Sequence, residues 1–240
     1  MADKLIGVGN KIEINIIKDR NVRKDEEKVT YVSQVLDWDG EQIVAALPIH
    51  EGHLVTLEVN SNLECYFYTG SGIYKANAHI TSRYKRGNLY MMNLELKDEP
   101  KKFQRRQFYR LPCNIITTLR TLSVSEVLDY SMKHEVKDNP EAQVVQGVIV
   151  DISGGGTRVF SKSQYKSGDY VYMNFPLEMN IGIKNVSVLA KVISSSELAG
   201  RQDFCDNRLQ FKEIPASLRD SIVKYIFEQQ RKKQNSRKEG

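Results

Sequence analysis

The sequence predicts an all-β protein with a C-terminal helix, built as two small β-barrel domains in tandem. Three observations carry this reading. Apolar residues alternate with polar ones at period two in both halves of the chain. The alternation breaks at a charged, proline-containing stretch around Pro100. Beyond Pro215 the apolar spacing changes to that of one strong helix.

In the first half, Ile12, Ile14 and Ile16 alternate with polar neighbours and read as a strand. The same holds for Val55, Leu57 and Val59, for Tyr74, Ala76, Ala78 and Ile80, and for Tyr90, Met92, Leu94 and Leu96. Turn-forming residues separate these runs at Asn60–Asn62, Gly70–Gly72 and Gly87-Asn88. Short strands at this spacing predict a β-barrel or sandwich over residues 1–98. The Lys97-Asp98-Glu99-Pro100-Lys101-Lys102 run then marks a boundary. Residues 99–110 read as a linker, and residues 103–234 as a second domain.

In that second domain, Val148, Val150 and Ile152 are expected to share one strand face. Further strands are expected at Val171, Met173 and Phe175, at Val186, Val188, Ala190 and Val192, and at Leu209 and Phe211. Residues 119–139 read equally well in two ways. Ser125–Leu128 with Met132 can form a short helix ended by Asp138-Asn139-Pro140, or the whole segment can be a long loop. Pro215 suits a first helical turn, and Leu218, Ile222, Tyr225, Ile226 and Gln229 make one stripe. Arg231, Lys232 and Lys233 are placed in the last turn, where cations complement exposed carbonyls. Residues 235–240 read as a solvated basic tail.

Composition excludes several classes. The 240 residues are 40% hydrophobic and 27% charged, as in globular proteins rather than disordered ones. No apolar run approaches the roughly 20 residues that span a bilayer, so no membrane insertion is expected. Met1–Asn10 lacks the pattern of a signal peptide. Cys65, Cys113 and Cys205 stand apart with no CxxC spacing, which fits buried, reduced thiols in a cytoplasmic protein. The net charge of +5 is unevenly placed: Lys101–Arg110 carries +5 and Arg231–Gly240 carries +4, leaving −4 on the other 220 residues. A chain that coats DNA spreads its cations more widely.

No GxSxG elbow, Walker loop or HExxH motif is present, so nothing points to an enzyme. His50-Glu51-Gly52-His53 superficially resembles a metal-ligand pair. A glycine-containing turn is not expected to hold both imidazoles on one face, and no carboxylate or thiol cluster stands nearby. No metal site is expected.

Two segments carry denser chemistry. Arg105, Arg106 and Arg110 offer planar forks suited to phosphate or a guanine edge. The interleaved Phe108, Tyr109 and Leu111 argue that part of this segment is pinned down rather than floating. The Asp151-Ile152-Ser153-Gly154-Gly155-Gly156 run offers a carboxylate, a hydroxyl and a tight turn, with Arg158 just beyond. Three glycines alone would be only a flexible hairpin turn. Together with the arginines they read as two halves of one anion-binding site.

Arg106-Gln107-Phe108-Tyr109-Arg110 and Asp151-Ile152-Ser153-Gly154-Gly155-Gly156 match the RxxxR and (D/N)xSxxG signature of the PilZ family, receptors for cyclic di-GMP. The chain resembles that family over residues 103–234, and its β-rich N-terminal domain resembles the flagellar-brake (YcgR-like) subgroup. The 40 residues between Arg110 and Asp151 exceed the family's usual gap.

The resemblance implies a cyclic di-GMP receptor whose Arg106 and Arg110 contact phosphate and guanine. Asp151 and Ser153 would hold the guanine donor edge, and Gly156 would let the backbone come close to the ligand, with Gly155 and Arg158 completing the site. Arg105, preceding the motif, implies an intercalated pair of ligand molecules. The resemblance further implies a flagellar motor or switch protein as partner and recruitment to the basal body. The self-repelling arginines suggest a mobile hinge at 105–110 that folds over the second domain on binding and changes the interdomain arrangement. A receptor acting on exopolysaccharide synthesis or another output is the alternative. A barrel binding single-stranded nucleic acid would require a stripe of cations across strands.

Overall fold

The computed structural model describes residues 5–17, 29–133, 136, 139 and 142–236. His134, the Asp138 and Pro140 helix stop, and the last four residues of the basic tail lie outside the described residues, as does Met1–Lys4 of the N-terminal signal-peptide reading. The chain divides into two compact units, Met1–Arg105 and Arg106–Gly240. The division falls inside the segment read as a linker.

The first unit contains β1 (Lys11–Ile16), β2 (Thr30–Trp38), β3 (Gln42–Ala46), β4 (Ile49–His50), β5 (His53–Leu54), β6 (Asn62–Thr69), β7 (Gly72–Arg86), β8 (Leu89–Leu96) and β9 (Lys101–Lys102). Its main sheet runs β6-β1-β2-β3-β8-β7-β9, and a further β6–β7 pairing closes it into a ring. Inward residues follow the period-two rule: Ile12 and Ile14, Leu63, Cys65 and Phe67, Ala76, Ala78 and Ile80, and Met92 and Leu94 form one core. Gly87, at φ 62°, makes the tight β7–β8 turn in the left-handed conformation that glycine tolerates best.

Three expectations for this unit are corrected. Val55, Leu57 and Val59 do not form a strand; Leu57 is buried and Val55 packs on the core from an extended loop. Alternation there reports one buried face, without a ladder partner. The charged 97–102 run is also not all linker. After Leu96 the chain resumes pairing along β7, with Tyr74 opposite Lys102 and Lys75 opposite Lys101. Phe103 then donates its N–H to Ile73 and sets its ring 4.9 Å from that of Tyr66. Finally, His50 and His53 stand directly opposite each other across the β4–β5 hairpin. Opposed residues of an antiparallel pair share a face, so the turn does hold both on one side. Among the described residues no group of three or more His, Cys, Asp or Glu side chains gathers.

The second unit contains β10 (Leu111–Thr121), α1 (Val124–Lys133), β11 (Val144–Ser153), β12 (Gly156–Ser161), β13 (Tyr170–Met179), β14 (Gly182–Leu198), β15 (Arg201–Phe211) and α2 (Ala216–Ser236). The six strands close a barrel in the order β10-β11-β12-β15-β14-β13. The predicted inward faces of β13, β14 and β15 are the observed ones, with Val171, Met173, Val186, Val188, Ala190, Val192, Leu209 and Phe211 all in the core. From α2, Ile222, Tyr225 and Ile226 join it, as the helical stripe predicts. The helix runs to Ser236, further than expected, so Arg231 and Lys232 lie inside it. Lys233 donates to the carbonyl of Pro112 at 2.8 Å.

Residues 119–139 include a helix, and its start is chemically defined. Ser123 Oγ accepts from the N–H of Glu126, while Glu126 Oε2 accepts from the N–H of Ser123 at 2.9 Å. This reciprocal capping box closes two otherwise open donors. The described helix runs Val124–Lys133. Tyr130 packs with Leu122 and Leu189, so α1 covers an outward residue of β14.

Candidate functional site

Strand β11 sets the site. Gly147 and Ile149 face inward, and so does Ile152, three positions on. The register shifts between Ile149 and Asp151, where an extra residue is accommodated as a β-bulge. Strict alternation from Ile149 would have turned Asp151 into the core. The bulge leaves Asp151 half-exposed instead. The expectation that Val148, Val150 and Ile152 share one inward face is therefore wrong for the first two. Asp151 also stands on a strand rather than in the turn, which lies at Gly154-Gly155.

None of the three consecutive glycines adopts a left-handed φ. What they supply is the absence of a side chain. A β-carbon at Gly154 would fall 2.7 Å from the Phe108 ring, and one at Gly155 would fall 3.1 Å from it. At Gly156 it would fall 2.3 Å from the carbonyl oxygen of Leu209 on β15. Gly156 thus permits close approach of barrel backbone. Ser153 is buried and holds the turn: its hydroxyl donates to the Gly156 carbonyl at 3.0 Å and accepts from the Gly155 N–H at 3.4 Å.

Phe108 ties the arginine segment to this turn. Its ring lies over Gly154 and Gly155, and the guanidinium of Arg219 from α2 lies 5.9 Å from its centre. Two residues past Arg110, Pro112 pairs with Asp151, and Leu111 pairs with Ile152. Aromatic contact and strand register therefore run the segment bearing Arg106 and Arg110 alongside Asp151 and the glycine turn. Both arginines are exposed.

Arg158 lies opposite Asp151 on one side and opposite Arg208 on the other. Its Nε and Nη2 each donate to Asp206 at 2.8 Å, a two-bond fork. Those hydrogen bonds, more than the partial burial that opposes them, raise the Arg158 pKa further. Arg208 and Asp206 escaped the sequence reading, because only the β12–β15 register reveals that they flank Arg158. The Cys113 thiol nearby is pushed up to about 12, first by burial and then by the charge of Asp151.

Arg105 is the one candidate that the first unit holds. Its Nη1 sits 2.9 Å from Glu13 Oε2 on β1, and its guanidinium lies 5.4 Å from the centre of the Tyr68 ring. No described helix is long and apolar enough to cross a membrane.

These features define a tandem-barrel protein with an arginine strap seated on a glycine hairpin of its second barrel. Residues 104–228 match the model of the PilZ domain, and residues 7–96 match that of the N-terminal domain described as flagellar protein YcgR. The chain belongs to the PilZ family, with a YcgR-type N-terminal domain. No match is found among curated proteins. Among solved structures, the Bacillus subtilis inhibitor of motility (MotI/DgrA) is similar at 18% identity and a TM-score of 0.74, covering 95% of this chain and 99% of that one. YcgR from Escherichia coli in complex with c-di-GMP is similar at 11% identity and a TM-score of 0.46, covering 95% and 88%.

Proposed function

We propose that this protein is a cyclic di-GMP receptor, not an enzyme, and that it regulates flagellar motility from the cytoplasm through a motor or switch protein. One observation supports it above the others: Phe108 and the Leu111–Ile152 register run the RxxxR segment beside Asp151 on the second barrel. Guanine shows acceptors at O6 and N7, which suit an arginine fork, and donors at N1 and N2, which suit a carboxylate. Arg106 and Arg110 take phosphate and guanine, Asp151 takes the donor edge, and Arg158 adds positive charge next to it. Ser153, Gly155 and Gly156 act through the hairpin whose shape they maintain. Arg105 adds a second ligand molecule, intercalated with the first. Neutralising the arginines changes the interdomain arrangement. The motility output rests on the YcgR-type model over residues 7–96 and on the fold shared with a protein named as an inhibitor of motility.

Isothermal titration of the full chain with cyclic di-GMP tests the ligand and its stoichiometry. Saturable binding at two ligands per chain is expected. Absence of binding overturns the receptor reading, and one ligand per chain overturns the intercalated pair. Small-angle scattering profiles that coincide with and without ligand would overturn the change of arrangement.

A further inference from the structure

We propose that Glu13 competes with the ligand for Arg105 and so sets how readily cyclic di-GMP engages that arginine; this rests on the receptor reading above. Arg105 is joined by one peptide bond to Arg106, the first residue of the RxxxR motif, yet its side chain is held by the first unit. The Glu13 carboxylate bridges two cations. Its Oε2 takes Arg105 Nη1 at 2.9 Å, and its Oε1 takes Lys11 Nζ at 2.9 Å. The ring of Tyr68 lies under both, 5.4 Å from the Arg105 guanidinium and 4.8 Å from Lys11 Nζ. Lys11 and Tyr68 are themselves opposed across β1 and β6.

A carboxylate and a phosphate offer a guanidinium the same thing, a pair of charged acceptor oxygens. Arg105 cannot satisfy both with the same donors, so a phosphate that takes its Nη1 edge displaces Glu13. Two features make the exchange reversible rather than prohibitive. Arg105 is 47% exposed, so water and phosphate reach it, whereas the Glu13 side chain is 15% exposed and stays in place. Once Arg105 leaves, Glu13 keeps Lys11, so no carboxylate is stranded. Burial opposes the charge of Glu13, but Lys11, Tyr68 and Arg105 together hold its pKa below the usual carboxylate value, which keeps it a competitor at neutral pH.

The test is isothermal titration with cyclic di-GMP at fixed ionic strength on the full chain. It uses the wild type, Glu13→Gln, Arg105→Ala, the double variant, and Glu64→Gln. Glu64 pairs with Lys75 on the same barrel, so Glu64→Gln removes an equal charge without touching Arg105. Glu13→Gln is expected to bind about fivefold more tightly, which corresponds to ~1 kcal/mol for a partly exposed ion pair. The gain should vanish in the Arg105→Ala background, and Glu64→Gln should match the wild type. Unchanged affinity in Glu13→Gln overturns the proposal, as does a gain that persists without Arg105 or is reproduced by Glu64→Gln. If no protein binds, the receptor reading itself falls; if the wild type binds and Glu13→Gln shows no gain, only the role of Glu13 falls.

Discussion

The ring of Phe108 fills the space that a side chain at Gly154 would need: a β-carbon there would lie 2.7 Å from Cδ1 of the ring and 3.1 Å from Val223 of α2. Gly154→Ala should therefore push Phe108 off the hairpin and cost about 1–3 kcal/mol, the usual range for overpacking. At Gly156 the obstruction is backbone, 2.3 Å away on β15, which cannot rotate aside. Gly156→Ala should be the more damaging of the two. Urea unfolding that ranks both with the wild type would contradict this account.

Arg110→Ala and Asp151→Ala should each weaken cyclic di-GMP binding tenfold or more, since a bidentate arginine contact is worth about 1–3 kcal/mol and 1.4 kcal/mol is tenfold. Both side chains face outward, so stability should move by only about 0.5 kcal/mol. Calorimetry paired with thermal unfolding reads the two effects separately. Full affinity in both variants would remove the assigned site.

Arg158→Ala should lose stability as well as affinity. Asp206 is only 8% exposed and accepts both bonds of the Arg158 fork. Left without it, a largely buried carboxylate costs about 1–3 kcal/mol. Arg158→Lys restores charge but not the two-bond geometry, and should recover only part of the loss in urea unfolding.

Glu126 gives α1 a pH dependence of known sign. The Ser123 N–H and hydroxyl, and then Arg120, hold its pKa below the ordinary value of 4.5 against a small burial penalty. A carboxylate with a depressed folded pKa contributes stability above its unfolded value, and the contribution disappears as pH falls through the folded value. The wild type should therefore exceed Glu126→Gln in stability at pH 7. The gap should close below 4.5 in parallel denaturation curves. A gap that widens on acidification would refute the capping role.

How much of this was legible in the sequence depended on what each strand buries. Strands β13 and β14 turn an unbroken apolar row inward, and the period-two signal located both. In β12 the inward positions include Thr157 and Ser161, so polar residues in the core masked the alternation. In β10 a register shift between Pro112 and Ile115 broke it. The bulge before Asp151 had the same effect, because one inserted residue reverses every later facing. The Ser123–Glu126 capping box was readable as S-x-x-E, and would have decided between helix and loop. The RxxxR and DxSxxG halves of the site were legible because they are local. The Arg158–Asp206 fork and the Arg105–Glu13 pair join residues far apart in the chain, and only strand pairing brings such partners together.

Both main sheets close on themselves, and β9, two lysines long, is the short cationic strand left beside β7. A strand of that length and charge is a poor template for a visiting chain. Among the described residues, then, little backbone is on offer for a binding protein to extend by adding a strand of its own. Outside the short β4–β5 hairpin, a partner of the described residues would meet side chains and helices more than open strand edges, which disfavours edge-to-edge aggregation.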